Sequence, residues 1–236
     1  MLKFNSGKMA SEFDQYARDY EAMQRDPLRH SFSKDGTFFF ERKWHLIRSY
    51  LTSAGLHPSS MRWLDIGCGK GELLRLGRPE VASVTGCDVS TEMLALCPDI
   101  ESRPMTDPRR LPFPDQSFDL LTAVCVYHHV PPDERAALTR EAARVLRSSG
   151  VFVIIEHNPV NPATRLIVSR LPMDRNAILL GAWEARRLLR AADFANMDTT
   201  YFLYLPEKPF RMFSGLETAL KRVPLGGQYA VFAHKE

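Results

Sequence analysis

The passage Trp63-Leu-Asp-Ile-Gly-Cys-Gly-Lys-Gly-Glu-Leu-Leu74 constrains the fold of this chain more than any other stretch. A short apolar run ends in Asp65, passes through Gly67, Gly69 and Gly71, and continues into Leu73 and Leu74 at helical spacing. It reads as strand, tight loop, helix. Glycines admit positive φ and remove β-carbons that would block a ligand, while the first helical turn offers unpaired N–H groups and a partial positive charge. A dinucleotide fingerprint would place its third glycine where Glu72 stands; the spacing here is G-x-G-x-G. Further strands are expected at Met61 to Ile66, Ser83 to Asp88, near Glu101, Phe118 to Val126, Val151 to His157, Thr199 to Leu205 and Gln228 to Ala233. Helical stretches lie between them, among them Asp133 to Arg147, with Gly150 as its stop, Trp183 to Ala192, and one between Pro206 and Gly227. Such alternation predicts an α/β fold in which a parallel sheet is covered by helices on both faces.

Two later passages extend the first. In Val84-Thr-Gly-Cys-Asp-Val-Ser-Thr-Glu-Met93 a strand ends at Asp88, and Ser90 or Thr91 caps the next helix. An acidic side chain about twenty residues beyond a glycine loop accepts hydrogen bonds from ribose hydroxyls, a device shared by several nucleoside cofactors. The third runs from Met105-Thr-Asp-Pro through Leu-Pro-Phe-Pro-Asp-Gln-Ser-Phe-Asp119 into the apolar strand Leu-Leu-Thr-Ala-Val-Cys-Val126.

These three passages, in this order, resemble the class I S-adenosylmethionine-dependent methyltransferases of the small-molecule, type 11/25-like kind. The resemblance covers residues 61 to 157 well and the ends loosely. It implies a Rossmann-like, seven-stranded, mostly parallel sheet with an antiparallel last strand and an N-terminal helical lid. It also implies S-adenosyl-L-methionine as cofactor and S-adenosyl-L-homocysteine as product. Carried over residue by residue, Gly67, Gly69 and Gly71 shape the methionine end with Asp65, Asp88 holds the ribose, and Asp107 meets the adenine edge. Cys68, Val89, Met93, Thr106, Pro108 and Cys125 complete the cofactor site, and Tyr16 and Tyr20 close over it.

Length allows one domain: a lid over residues 1–58 and an α/β core over 59–236, with an insertion at about 158–181 that walls the acceptor pocket. The stretch Asp26 to Gly36 reads as a mobile connection within the lid. A net charge of +3, spread along the chain, leaves no footprint for nucleic acid or anionic lipid. No stretch approaches the ~20 apolar residues of a membrane span. The four cysteines have no zinc spacing, so reduced thiols and a cytoplasmic location are expected.

Methyl transfer from a sulfonium is an in-line displacement that needs alignment and the exclusion of water, with no metal required. A hydroxyl or protonated amine acceptor needs a base, and histidine suits that work. His128 and His129 follow the fourth strand and His157 ends the fifth, with His129 favoured as base. The Asn/Asp-Pro-Pro-aromatic tetrapeptide of nucleic-acid amino methylation is absent; Cys125-Val-Tyr-His128 stands in its place. The expected activity is therefore methylation of oxygen, nitrogen or carbon on a small-molecule acceptor, as in secondary metabolism. A catalytically inactive cofactor-binding partner subunit, a nicotinamide oxidoreductase and a nucleic-acid methyltransferase remain alternatives, and oligomeric state stays open.

Overall fold

The computed structural model describes residues 13–17, 27–34, 36–107 and 109–236. Its strands are β1 (Arg62–Ile66), β2 (Ser83–Asp88), β3 (Glu101–Pro104), β4 (Phe118–Val124), β5 (Leu146–His157), β6 (Phe194–Phe202) and β7 (Gln228–Lys235). They form one sheet of order β3-β2-β1-β4-β5-β7-β6. The first five run parallel, and β7 enters antiparallel to both β5 and β6. Strand order reverses between β1 and β4, which opens a crevice beyond their carboxyl ends.

The helices are α1 (Pro27–Phe32), α2 (Thr37–Ser53), α3 (Glu72–Gly77), α4 (Thr91–Ala95), α5 (Arg135–Val145), α6 (Pro162–Arg170), α7 (Ala182–Arg190) and α8 (Glu207–Leu220). Residues 13–17 are helical as well. Central strands are apolar on both faces, as helices on both sides demand. Along β5, Phe152 and Ile154 join a core with Leu138, Ala142, Ala185 and Leu189 from α5 and α7. Val151, Val153 and Ile155 face the opposite core, where α2 supplies Trp44, Ile47 and Leu51. Trp44 stacks on Trp63 of β1 at 5.0 Å between ring centroids, fastening α2 to the sheet. Among the described residues, no helix is long and apolar enough to cross a membrane.

Three local expectations are corrected. Gly150 does not stop α5: the helix ends at Val145, β5 begins at once, and Ser149 takes the left-handed turn at φ 64°. Gly150 is needed for closeness, since a β-carbon there would lie 2.7 Å from the Leu146 side chain and 2.9 Å from the Arg147 carbonyl oxygen. Strand β4 ends at Val124 because Cys125 turns out of it at φ 57°. The stretch expected as a mobile connection holds α1.

Candidate active site

At the carboxyl end of β1, Asp65 is buried and accepts a hydrogen bond from Thr122 Oγ1 at 2.5 Å; that hydroxyl in turn accepts from Trp63 Nε1 at 2.8 Å. The loop beyond is tied to β2, because the N–H groups of Gly67 and Cys68 both donate to the Cys87 carbonyl. Gly67 and Gly69 have φ 69° and 53°, which favour glycine. A β-carbon at Gly67 would strike Val126 at 2.5 Å, whereas one at Gly69 would meet nothing within 4 Å and would project into open space. Asp88 at the end of β2 spans this loop: Oδ2 accepts from the Gly69 N–H at 2.8 Å and Oδ1 from the Ser90 N–H at 2.9 Å. Each oxygen keeps a lone pair for a ligand. Ser90 caps α4 through Met93 N and donates to Asp14, docking residues 13–17 on this rim.

Burial pushes the Asp65 carboxyl up to about 7, although Thr122 and Lys43 pull the other way. Because the folded value lies above the unfolded 3.8, the fold favours the protonated acid. Its contribution to stability is therefore full below pH 4 and declines as pH rises towards 7. A shift of this size corresponds to about 4 kcal/mol. Asp65→Asn keeps an acceptor for Thr122 and removes the titration. The variant is expected to match the parent in thermal unfolding near pH 4 and to exceed it near pH 8; an equal gap at both values would contradict the assignment.

Across the crevice, the loop after β4 carries His128 and His129. His128 is buried, with Nδ1 2.6 Å from Glu156 Oε2 and Nε2 3.4 Å from Asp174 Oδ1. Burial opposes its charge, yet Glu156 and Asp174 outweigh burial and raise it well above the ordinary imidazole value. Glu156 also accepts from the Tyr127 N–H at 2.6 Å, so one buried carboxylate fixes both backbone and ring. His129 places Nε2 3.4 Å from the same Asp174 oxygen and meets Phe13 edge to face at 5.0 Å. Burial, then the charge of His128, lowers it to about 3. Arg135, almost fully buried, holds this loop by donating to the Tyr127 and Val130 carbonyls and ties it to the insertion through the Ile178 carbonyl.

Cys125 stands between the two halves in its left-handed conformation, a local strain of the kind found at functional sites. Burial raises its thiol, but Lys43, whose Nζ is 3.9 Å from Sγ, and His157 outweigh that and bring it to about 7. Gln228 Nε2 lies 3.4 Å from both Cys125 Sγ and His157 Nδ1, while Gln228 Oε1 is buried without a partner among the described residues.

One cavity of roughly 400 Å³ joins all of this. Of the residues expected at the site, Asp65, Gly67, Cys68, Gly69, Asp88, Val89, Met93, Cys125, His128, His129 and His157 line it. Gly71 stands aside as the left-handed N-cap of α3, against Cys97 and Ile100. Thr106 and Asp107 are off the cavity wall, and Asp107 instead forms a forked ion pair with Arg109. Tyr16 is also off the wall and bonds the Pro172 carbonyl, whereas Tyr20 and Pro108 lie outside the described residues. The insertion lines the cavity through Asn161, Thr164, Ile167, Leu171 and Asp174. Lys43, Asp174 and Gln228 were not singled out in the sequence; only the polar insertion hinted at one of them.

A family profile described as "Methyltransferase domain" matches residues 64–154. The chain is 31% identical over 162 residues to 27-O-demethylrifamycin SV methyltransferase of Amycolatopsis mediterranei, covering 64% of this chain and 58% of that protein. It is 40% identical over 116 residues to phosphatidylethanolamine N-methyltransferase of Cereibacter sphaeroides, covering 45% and 55%. The chain thus spans just over half the length of these curated relatives. A solved Thermotoga maritima S-adenosylmethionine-dependent methyltransferase, described as a possible histamine N-methyltransferase, superposes with TM-score 0.69 at 16% identity, over 97% of this chain and all of the other. At that identity the likeness speaks for the fold alone.

Proposed function

This chain belongs to the class I S-adenosylmethionine-dependent methyltransferases, and on that premise we propose that it transfers a methyl group to a hydroxyl of an apolar small molecule. The observation that carries this reading is the continuity of one cavity from the glycine loop and Asp88 to the histidines. S-adenosylmethionine, when bound, supplies a methyl group already activated on a sulfonium. The residues present fit it: open space in front of Gly69 for the ligand, and spare lone pairs on Asp88 for two ribose hydroxyls. Asp65 and Lys43 both line the cavity beside the glycine loop, a hydrogen-bonding carboxyl and an ammonium for the polar groups of an amino-acid tail.

On the acceptor side, Phe32, Phe39, Phe40, Ile167 and Leu171 offer an apolar wall. Both buried carboxylates are engaged with His128, leaving neither to hold an ammonium, and this favours a hydroxyl acceptor over an amine. His128 has both ring nitrogens committed. His129 has Nε2 beside Asp174, and its Nδ1 is the proton acceptor; with its basicity lowered, it takes the proton as the methyl transfer makes the acceptor oxygen acidic, not before.

Calorimetric titration with S-adenosylmethionine and S-adenosylhomocysteine, followed by a mass-spectrometric screen of phenols and hydroxylated polycyclic compounds for methyl ethers, tests the reading. Absence of binding to either cofactor form would remove it. His129→Ala is expected to keep S-adenosylhomocysteine binding and to lower kcat by about 10²–10⁴. Unchanged turnover would dismiss the base.

A further inference from the structure

The cavity wall opposite the glycine loop holds the elements of a second site. His128, His157 and Asp174 each offer one donor atom, and these atoms all lie within 4.8 Å of one another. The edge from His128 Nε2 to Asp174 Oδ1 is 3.4 Å, and His129 Nε2 stands 3.4 Å from the same oxygen. Charge-assisted N–H···O bonds are shorter, about 2.7–2.9 Å. Donors at about 2.0–2.1 Å from a tetrahedral ion stand roughly 3.3–3.4 Å apart. The His128–Asp174 edge has the length of two neighbours around an ion, and the His157 donor atom stands within 4.8 Å of both.

The surroundings agree. Glu156 at 2.6 Å holds the proton on His128 Nδ1, which turns the Nε2 lone pair towards Asp174. A carboxylate orienting a ligand imidazole in this way is the usual support behind a metal-bound histidine. Glu156 and Asp174 also bring two negative charges into the interior. A proton on His128 offsets one of them and a divalent ion both, which matters where uncompensated buried charge is costly.

We propose that His128, His157 and Asp174 bind a divalent transition metal of the zinc class, with an open coordination position facing the cavity. Imidazole and carboxylate together suit zinc better than magnesium, and three protein ligands with one open place mark a reactive site. Gln228, buried on the same wall beside His157, has its unpartnered Oε1 available to the hydrogen of an oxygen ligand, whether water or the acceptor hydroxyl. The expectation of no metal rested on a methyl transfer that does not need one and on the absence of any ligand spacing in the sequence. The spacing is missing because the ligands come from the loop after β4, the end of β5 and the turn Pro172–Asp174.

The test is independent of methyl transfer. Full-length protein freed of metal with a chelator is titrated with zinc(II) by calorimetry and with cobalt(II) by visible absorption. A single saturable site is expected, with the absorption bands of low-coordinate cobalt(II), and with affinity at least ~10-fold weaker in both Asp174→Asn and His157→Ala. His157 is only partly buried, so its variant decides the matter if Asp174→Asn does not fold. No saturable binding to the parent protein, or binding that both variants leave unchanged, overturns the site and assigns any bound ion to surface histidines.

Discussion

Asp88→Ala is expected to weaken S-adenosylhomocysteine binding by at least about 100-fold in calorimetry. Two ribose hydroxyls donating to a carboxylate form charge-assisted bonds worth about 1.5–3 kcal/mol each. Their joint loss, at about 1.4 kcal/mol per tenfold, spans roughly 10² to 10⁴ in affinity. The substitution also takes the acceptors away from the Gly69 and Ser90 N–H groups, so the glycine loop keeps its bonds to the Cys87 carbonyl but loses its side-chain tie to β2 before any ligand arrives. Asp88→Asn separates the two effects. Its amide oxygen still serves one N–H, its NH2 opposes the other, and an intermediate loss is expected. Alanine binding within about threefold of the parent would show that the carboxylate organises the loop without touching the ligand.

What was legible in the sequence is what the chain places locally. The glycine loop, Asp88 and the histidine pair each sit at the end of one strand, and a strand end in a parallel sheet has one destination: the crevice. Lys43 was hidden in the apolar stripe of α2, where a lone cation reads as the solvated side of an amphipathic helix. Its role emerges from contact with Cys125, 82 positions away. Asp174 looked like any acid in a polar insertion, because nothing short-range says that a turn after α6 folds back onto the loop after β4. Gly150 misled for a related reason. Glycine after a helical pattern predicts a C-terminal stop, but the close approach of Leu146 to the backbone explains that glycine equally well, and only the packed chain distinguishes them. Asp107 was assigned by resemblance, whereas Arg109, two residues on, offers its carboxylate a nearer partner.

Glu156→Ala is expected to lower the unfolding free energy by about 3–5 kcal/mol, the range for removing one partner of a buried ion pair. The loss has two parts. The Tyr127 N–H becomes a buried donor without an acceptor, and His128 is left facing Asp174 alone. Burial pushes the Glu156 carboxyl up, but His128 outweighs it, so the group is held below its ordinary range and stays ionised near neutrality. Glu156→Gln divides the two parts, since its amide oxygen still accepts from Tyr127 while Asp174 alone answers the charge of His128. It should retain part of the stability in urea denaturation at pH 7 and lose most of it only when Asp174→Asn is added. Single domains hold about 5–15 kcal/mol in all, so the alanine variant should melt well below the parent. A loss under about 1 kcal/mol would mean that the histidine loop is positioned by Arg135 and its carbonyl partners, with Glu156 serving only the chemistry of the cavity.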